Sequence, residues 1–403
     1  MAYTIKEIML ATCGTDTYPR RWETFFDEVM ATYEKNGCPL LDPAYYTAIE
    51  EEYGIIGEDL PVYQQAAREI AADEMLSRYM ALLCHALTER DTIMADLTTL
   101  SFPKDEENSL KCRMLPALAM CQGVRYADSI IKARKIPDAI RMISLRGVLG
   151  TVRGYRIRHN GEYGCFAFGW FQLAYDAKLF IIDSLQIELS FPSMDYFSAY
   201  ENTKGEIVSL ARNTRVHKSG VPLGSLFCED ETDAFDAAFT ETEDAYIGNP
   251  YDAKGRIRRE RVTLPKSEWH EKLVPGDDVI NLHIPKGVSF TEEALDRTIS
   301  NIRAFLAKYF PDYAYKAFFC GSWLLDPQLG DILGEDSNIV KFGRRFIPVS
   351  AKNDGKGVFR FVFLIPDNDV DFETLPENTR LQRAVKQHYL AGKAIYGVGG
   401  FFF

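Results

Sequence analysis

Residues 279–310 constrain the fold more than any other part of this sequence. They read VINLHIPKGVSFTEEALDRTISNIRAFLAKYF, which predicts a strand, a loop with one glycine, and a long helix. From Leu295 to Leu306 the apolar residues of the helix recur at spacings of four, three and four, which is typical of a helix that packs one face on a sheet. Strand–loop–helix units often bind phosphate groups, so the loop is a candidate cofactor site.

Local signals define the two elements further. Ser289, followed three residues later by Glu292, fits a capping box and predicts a helix start between residues 289 and 291. In the strand, alternation places Asn281 and His283 on the same face. Polar groups are therefore expected on one face near the end of the strand.

The size and charge of the chain exclude several classes of protein. At 403 residues it exceeds the roughly 250–300 residues at which a single core stops growing, so two domains are expected. A net charge of -12 argues against a nucleic-acid partner, which requires a basic surface. No run of apolar residues is long enough for a signal peptide or a membrane span. The sequence therefore predicts a cytoplasmic protein with no membrane partner.

The eight cysteines indicate neither a disulfide framework nor a metal module. None of them forms a CxxC pair or shows the Cys/His spacing of a zinc site. We therefore expect the cysteines to be reduced thiols, as in a cytosolic protein, and we predict no metal.

The first part of the sequence, residues 1–145, is predicted to be a helical domain. Helical periodicity extends from Leu60 to Glu89 and again from Pro116 towards Ala133, where RKIPDAI interrupts it. No chemistry is visible in this part. Residues 146–403 are predicted to form the second domain.

Glycines and aromatic runs then replace the helical spacing. CFAFGWFQLAY and AKLFIIDSLQIEL are two strand candidates around Tyr175–Lys178, which predicts a hairpin that pairs Trp170 and Leu185 in adjacent strands. Residues 193–275 are polar and rich in turns, and RRERVTL within them is a candidate strand of the sheet. The later predictions are strand Val279–Ile284, helix Thr291–Phe310, strand Tyr315–Cys320, a short helix near Pro327–Leu333, strands Ile339–Phe346 and Val358–Ile365, helix Arg380–Ala394, and a low-complexity tail GVGGFFF.

Four segments carry a family resemblance, namely WFQLAYDAKLF, LHIPKG, CGSWLLDPQL and SNIVKFGRRF. With the order of the elements, they resemble the GNAT acyltransferase superfamily, and more closely a two-domain, GNAT-like bacterial acyltransferase family with a helical N-terminal domain. The resemblance implies an α+β, mixed α/β fold, in which a helical domain is followed by a GNAT-like mixed sheet flanked by helices.

The resemblance also implies that acyl-coenzyme A is the cosubstrate and lies across the splayed ends of the two strands near residues 284 and 320. Its pyrophosphate would contact backbone N–H groups of the loop and the helix start. The candidate cofactor-binding residues are Ile284, Lys286, Gly287, Val288 and Ser289. The loop departs from the family pattern, because it has one glycine, a proline without a donor, and the carboxylates of Glu292 and Glu293 close by.

Two residues are candidates for catalysis. His283 lies near the strand end that should face the cleft, and its imidazole suits a general base, although a structural role in a half-buried strand is the alternative. Ser322 lies at a strand-to-helix turn, where it either caps the helix or lies near the substrate. The segment FFCGSWLL lacks the nucleophilic cysteine of the papain signature, so a hydrolase that uses Cys320 is disfavoured.

The resulting functional hypothesis is transfer of an acyl group from acyl-coenzyme A to an amine of a small molecule or peptide. The alternative is a non-catalytic binding or interaction protein in which a GNAT-like fold has lost its cofactor loop. The acceptor itself is not specified, since acceptor pockets are built from loops that a fold resemblance does not define.

Overall fold

The computed structural model describes residues 3–87, 100–147, 149–165, 173–174, 176–285, 288, 290–353, 355–365 and 370–403. The chain divides into two compact units, Met1–Ile181 and Ile182–Phe403. This division falls later in the chain than residue 145. The proposed domain boundary at that residue stays a prediction.

The described residues of the first unit form helices, apart from residues 179–181, which belong to the first strand of the main sheet. Short 3₁₀ helices at Arg20–Thr24, Pro39–Leu41 and Gly57–Asp59 lie between the α-helices. The α-helices are α1 (Ile5–Cys13), α2 (Phe26–Asn36), α3 (Pro43–Tyr53), α4 (Leu60–Ala71), α5 (Glu74–Ala86), α6 (Leu110–Ala133), α7 (Asp138–Arg146) and α8 (Leu149–Arg158).

The predicted helix from Leu60 to Glu89 is two helices, because Asp73 starts a new one. Its carboxylate accepts hydrogen bonds from the N–H groups of Met75 and Leu76, at 3.2 and 3.0 Å. Such a cap satisfies donors that a continuous helix would bond internally. The helix predicted from Pro116 begins earlier, at Leu110, and its predicted end at Ala133 is confirmed.

The second unit contains a main sheet and three small sheets. The strands are β1 (Leu179–Ile182), β2 (Leu185–Pro192), β3 (Phe197–Asn202), β4 (Ile207–Ala211), β5 (Thr214–Val216), β6 (Phe235–Ala237), β7 (Thr240–Glu241), β8 (Ala245–Gly248), β9 (Val262–Pro265), β10 (Trp269–Leu273), β11 (Asp278–His283), β12 (Ala317–Ser322), β13 (Ile347–Ser350) and β14 (Val398–Phe402). The main sheet has the strand order β1-β2-β11-β12-β14-β13, and the small sheets have the orders β10-β3-β4, β5-β6 and β7-β8-β9.

Helical segments of the second unit follow β11. A 3₁₀ helix at Trp323–Leu325, a π-helix at Phe359–Phe363 and a 3₁₀ helix at Phe372–Thr374 are the irregular ones. The α-helices are α9 (Glu292–Tyr309), α10 (Leu329–Leu333), α11 (Asn338–Gly343), α12 (Lys356–Val358) and α13 (Arg380–Leu390). The predicted elements at 279–284, 291–310, 315–320, 327–333 and 380–394 are therefore confirmed, with shifts of a few residues at their ends.

Different layers cover the two faces of the main sheet. On one face, the Phe401 ring of β14 stacks on Phe197 of β3 at a centroid distance of 5.2 Å, so the β10-β3-β4 sheet packs there. On the other face, Arg303 of α9 lies over the Phe318 ring of β12 at 4.9 Å. We call the first the inner face, because residues 193–275 cover it.

The predicted hairpin is misplaced. AKLFIIDSLQIEL is two strands, β1 and β2, that flank the two-residue connection Asp183–Ser184, and Leu185 begins the second of them. Asp183 has a φ of 50°, a left-handed conformation that Asp tolerates better than most residues. The partner strand predicted around Trp170 lies outside the described residues.

Two predicted strands near the end of the sequence are helical. Residues 339–346 contain α11, in which Phe342 packs edge-on against Phe290 and Phe346 at 5.1 Å. Residues 358–365 continue α12 into the π-helix, and the buried positions Val358, Phe359, Val362 and Phe363 have a helical spacing. The nearly continuous apolar run of residues 358–365 does not distinguish a strand from a buried helix by its period, which explains the second error.

The tail GVGGFFF and the segment RRERVTL also differ from expectation. The tail contains β14, which lies between β12 and β13 inside the main sheet. RRERVTL contributes β9, which belongs to the small β7-β8-β9 sheet and not to the main one.

We expect Gly400→Ala to lower the free energy of unfolding by about 1–3 kcal/mol, the usual cost of overpacking a core. A Cβ atom at Gly400 would lie 2.7 Å from Phe346 Cβ and 3.0 Å from Leu325 Cδ1. Chemical denaturation measures the change. The matched control is Gly321→Ala, whose Cβ would meet only Phe319 Cε1 at 3.7 Å. Equal stability of the two variants would contradict the prediction.

Candidate functional site

The two parallel strands at the centre of the main sheet are paired along only part of their length. β11 and β12 pair at Val279↔Ala317, Ile280↔Phe318 and Asn281↔Phe319. Beyond this point β11 continues to His283, paired with β2, and β12 continues to Ser322, paired with β14. Over these described residues the facing backbone edges of the two strands are not paired with each other. The sheet therefore opens at the carboxyl ends of β11 and β12.

A buried polar cluster lies on β2 and β11 beside this opening. Glu188 Oε2 is 2.8 Å from Asn281 Nδ2 and 2.8 Å from His283 Nε2. Glu188 is 7% exposed and Asn281 is 6% exposed, whereas the His283 side chain is 23% exposed. Cross-strand pairing of Glu188 with Asn281, and alternation along β11, place all three side chains on the inner face.

The distances assign the proton between Glu188 and His283. Two acceptor lone pairs 2.8 Å apart repel each other, so a proton must lie between Oε2 and Nε2. With Glu188 ionised, this proton is on His283 Nε2, and the neutral imidazole carries its lone pair on Nδ1. The carboxylate thus orients the ring and can stabilise its protonated form, as the acid does in a Ser–His–Asp triad.

The structure does not bring the two predicted catalytic residues together. Because strand residues alternate between faces, Ser322 shares the face of Phe318, whereas His283 shares the face of Phe319. The Ser322 hydroxyl accepts a hydrogen bond from the Leu324 N–H at 3.2 Å and caps the 3₁₀ helix that follows β12. This capping corresponds to the structural alternative for Ser322.

Of the predicted cofactor-binding residues, Ile284 and Val288 are described and half-buried, whereas Lys286, Gly287 and Ser289 lie outside the described residues. The helix start is described, and Thr291 is its N-cap: its hydroxyl accepts from the Ala294 N–H at 3.4 Å.

The surroundings of this helix start are mixed in charge. Glu292 and Glu293 occupy the first turn and are exposed. Arg345 donates to the Glu292 carbonyl at 3.5 Å and pairs with Asp296 at 2.5 Å. Arg345 therefore brings positive charge close to the N-terminus of α9, where an anion would bind.

Burial makes Cys320 unsuitable as a nucleophile. It is 1% exposed, and burial raises the pKa of its thiol to about 12. The reactive thiolate is therefore scarce near neutral pH. The described residues contain no cluster of three or more His, Cys, Asp or Glu side chains suited to a metal ion, and no described helix is long and apolar enough to cross a bilayer.

Sequence reasoning found His283 and placed Asn281 on the same face of the strand, but it missed Glu188. Glu188 lies 93 residues before Asn281, and only the antiparallel pairing of β2 with β11 joins them. One signal was present: Glu188 is a carboxylate between the apolar residues of IEL, in a strand that should be buried. A buried carboxylate requires a partner, and it often marks a functional site.

The sequence matches the model of the GNAT-like C-terminal domain family over residues 184–402. These 219 residues are just over half of the 403, and the chain belongs to this family. A search of curated proteins found no significant match.

Similar solved structures are acyltransferases. A complex with decanoyl-CoA has 19% identity and a TM-score of 0.58, over 89% of this chain and 87% of that chain. A complex with decanoyl-CoA and teicoplanin has 18% identity and a TM-score of 0.60, over 98% of both chains. A mutant acyltransferase in complex with octanoyl-CoA has 18% identity and a TM-score of 0.61, also over 98% of both chains. At this identity the similarity establishes the fold.

We expect Glu188→Ala to lower the free energy of unfolding by about 1–3 kcal/mol, because the buried Asn281 amide loses its acceptor. Chemical denaturation measures this change. Glu201→Ala is the control: Glu201 contacts the exposed His270 at 3.4 Å and Lys272 at 2.8 Å, and its side chain is more exposed than that of Glu188, 22% against 9%. The control should change stability little, since exposed ion pairs contribute little. If Glu201→Ala lowered the free energy of unfolding as much as Glu188→Ala, the burial of Glu188 would not be the cause of the loss.

Proposed function

We propose that this protein transfers an acyl group from acyl-coenzyme A to an amine of a small molecule or peptide. The observation that carries the proposal is the opening between β11 and β12, with a buried carboxylate–imidazole pair beside it. Membership of the GNAT-like family and a fold shared with acyltransferases that bind acyl-CoA support it.

The opening suits the pantetheine arm of coenzyme A. The facing edges of the two strands carry backbone N–H and C=O groups beyond Asn281 and Phe319 that a neighbouring strand would ordinarily bond. An extended amide-containing chain can bond such edges as an added strand does. The pyrophosphate would then lie towards the start of α9, near Arg345.

His283 is the proposed general base. The acceptor nitrogen attacks the thioester carbonyl carbon, so a C–N bond forms and the C–S bond breaks. The nitrogen gives up its proton to the imidazole, whose positive charge Glu188 stabilises, and the thiolate takes up a proton to leave as coenzyme A. The products are an amide and the free thiol.

The main alternative is a binding protein without activity. The single glycine of the loop, Pro285 and the two glutamates of the first helical turn favour it, because each reduces the capacity of the loop to hold a pyrophosphate.

Isothermal titration with acetyl-CoA and decanoyl-CoA separates the two functions. We expect binding in the micromolar range, and we expect Gly287→Val to weaken it at least tenfold, about 1.4 kcal/mol, with little change in melting temperature. The reason is that the backbone must approach the pyrophosphate closely at this position. If the wild type binds acyl-CoA and Gly287→Val binds it with the same affinity, the phosphates must lie elsewhere. No binding at millimolar concentration would favour the binding protein.

We expect His283→Gln to lower kcat for acyl transfer about 10²–10⁴-fold, the usual contribution of a general base. Steady-state kinetics with a panel of amine acceptors measures this. The control is His270→Gln, which alters an exposed histidine that also contacts a glutamate. Full activity in His283→Gln would remove the imidazole from the mechanism.

A further inference from the structure

A strip without side chains crosses the inner face of the sheet next to His283. Gly321 of β12 pairs with Gly399 of β14, and both face the same way as Phe319 and Phe401. Continuing the β11–β12 register by two residues sets Gly321 across the opening from His283. The polar cluster therefore borders a region in which two successive strands present only backbone.

The strip is open over Gly321 and closed over Gly399. Gly321 is exposed, and among the described residues the nearest atom to a Cβ built there is Phe319 Cε1 at 3.7 Å. A Cβ on Gly399 would lie 2.2 Å from the Tyr196 hydroxyl oxygen. The hydroxyl thus rests directly on Gly399, one strand away from Gly321, at a strand spacing of about 4.8 Å.

The Tyr196 backbone is firmly held, whereas its hydroxyl has no assigned role. The Tyr196 carbonyl accepts hydrogen bonds from the Arg212 N–H at 2.9 Å and from the Tyr251 hydroxyl at 3.3 Å. Among the described residues, no group is hydrogen-bonded to the Tyr196 hydroxyl. Tyr196 is half-buried, and its hydroxyl is a donor beside an open strip, so a ligand atom over that strip can accept its hydrogen bond.

We propose that the reacting carbonyl group of the acyl donor lies over Gly321, and that the Tyr196 hydroxyl donates a hydrogen bond to its oxygen. This inference rests on the proposed acyl transfer. His283 then lies on one side of the carbonyl carbon and Tyr196 on the other. Gly321 is needed because any side chain would occupy the position of the carbonyl.

The environment of Tyr196 favours a hydrogen-bond donor over a proton donor. Burial, and secondarily the Asp195 carboxylate, raise the pKa of Tyr196 well above its usual value. The phenol therefore stays protonated at neutral and mildly alkaline pH. Its ionisable neighbour Tyr251 also has a pKa raised by desolvation. As the amine adds, negative charge develops on the carbonyl oxygen, and a fixed donor stabilises that charge without giving up its proton.

The test is Tyr196→Phe in the full chain, assayed for acyl transfer from the acyl-CoA that the wild type uses best. We expect kcat to fall about 10²–10³-fold, as when one oxyanion donor is removed, with KM changed little. The alkaline limb of the pH–rate profile should keep its position. Tyr389→Phe, which removes the hydroxyl of a buried tyrosine elsewhere in the unit, is the control and should retain activity.

Gly321→Ala is the second variant, since the structure leaves room for its methyl group without a clash. We expect kcat/KM to fall at least tenfold at an unchanged melting temperature. Full activity in either variant overturns the inference. A loss in Tyr196→Phe that is confined to KM, or that shifts the alkaline limb, also overturns it. A wild type that transfers no acyl group from any acyl-CoA overturns the proposed function itself.

Discussion

The second unit depends on two parallel strands that are held together at one end and apart at the other. At Val279 and Ala317 the inner-face side chains are completely buried or nearly so, and Phe319 stacks on Phe191 of β2 at 6.0 Å. Two residues beyond the last pair, Asn281 and Phe319, the strands carry His283 and Gly321, which supply little apolar surface. Because apolar burial drives strand association, the ladder closes where the core is and opens where it ends.

A carboxylate is buried beside this opening, and its hydrogen-bond partners explain how. Glu188 is tolerated because an amide and an imidazole satisfy the same carboxylate oxygen, at 2.8 Å each. Removing its partners would leave an uncompensated charge inside the sheet. The same contact holds the imidazole of His283, which is 23% exposed, at the end of β11, where the strands diverge. One contact thus both satisfies the buried carboxylate and positions the proposed base.

The parts of the fold that were predictable from the sequence are those that local patterns determine. The periodicity of α9, the alternation of β11 and the start of α13 at Arg380 depend on neighbouring residues, and they were found. Residues 358–365 were assigned to a strand because a continuous apolar run fits both periods, and only tertiary packing decides. Glu188 could not be joined to His283, since the contact spans 95 residues and arises from sheet pairing. Tyr196 was equally hidden, because nothing local relates it to a glycine about two hundred residues later.

The glycines near the end of the sequence show how composition can mislead. GVGGFFF has the appearance of a low-complexity segment, yet successive glycines of β14 face opposite sides of the sheet. Gly400 leaves space for Phe346 on the α9 face, and Gly399 leaves space for the Tyr196 hydroxyl on the inner face. The phenylalanines that follow occupy the same two faces, where Phe401 stacks on Phe197 and Phe402 stacks on Phe318 at 5.0 Å. β14 therefore carries glycines near the opening and phenylalanines beside the core. The sheet can be well packed at one end and leave room for the candidate site at the other.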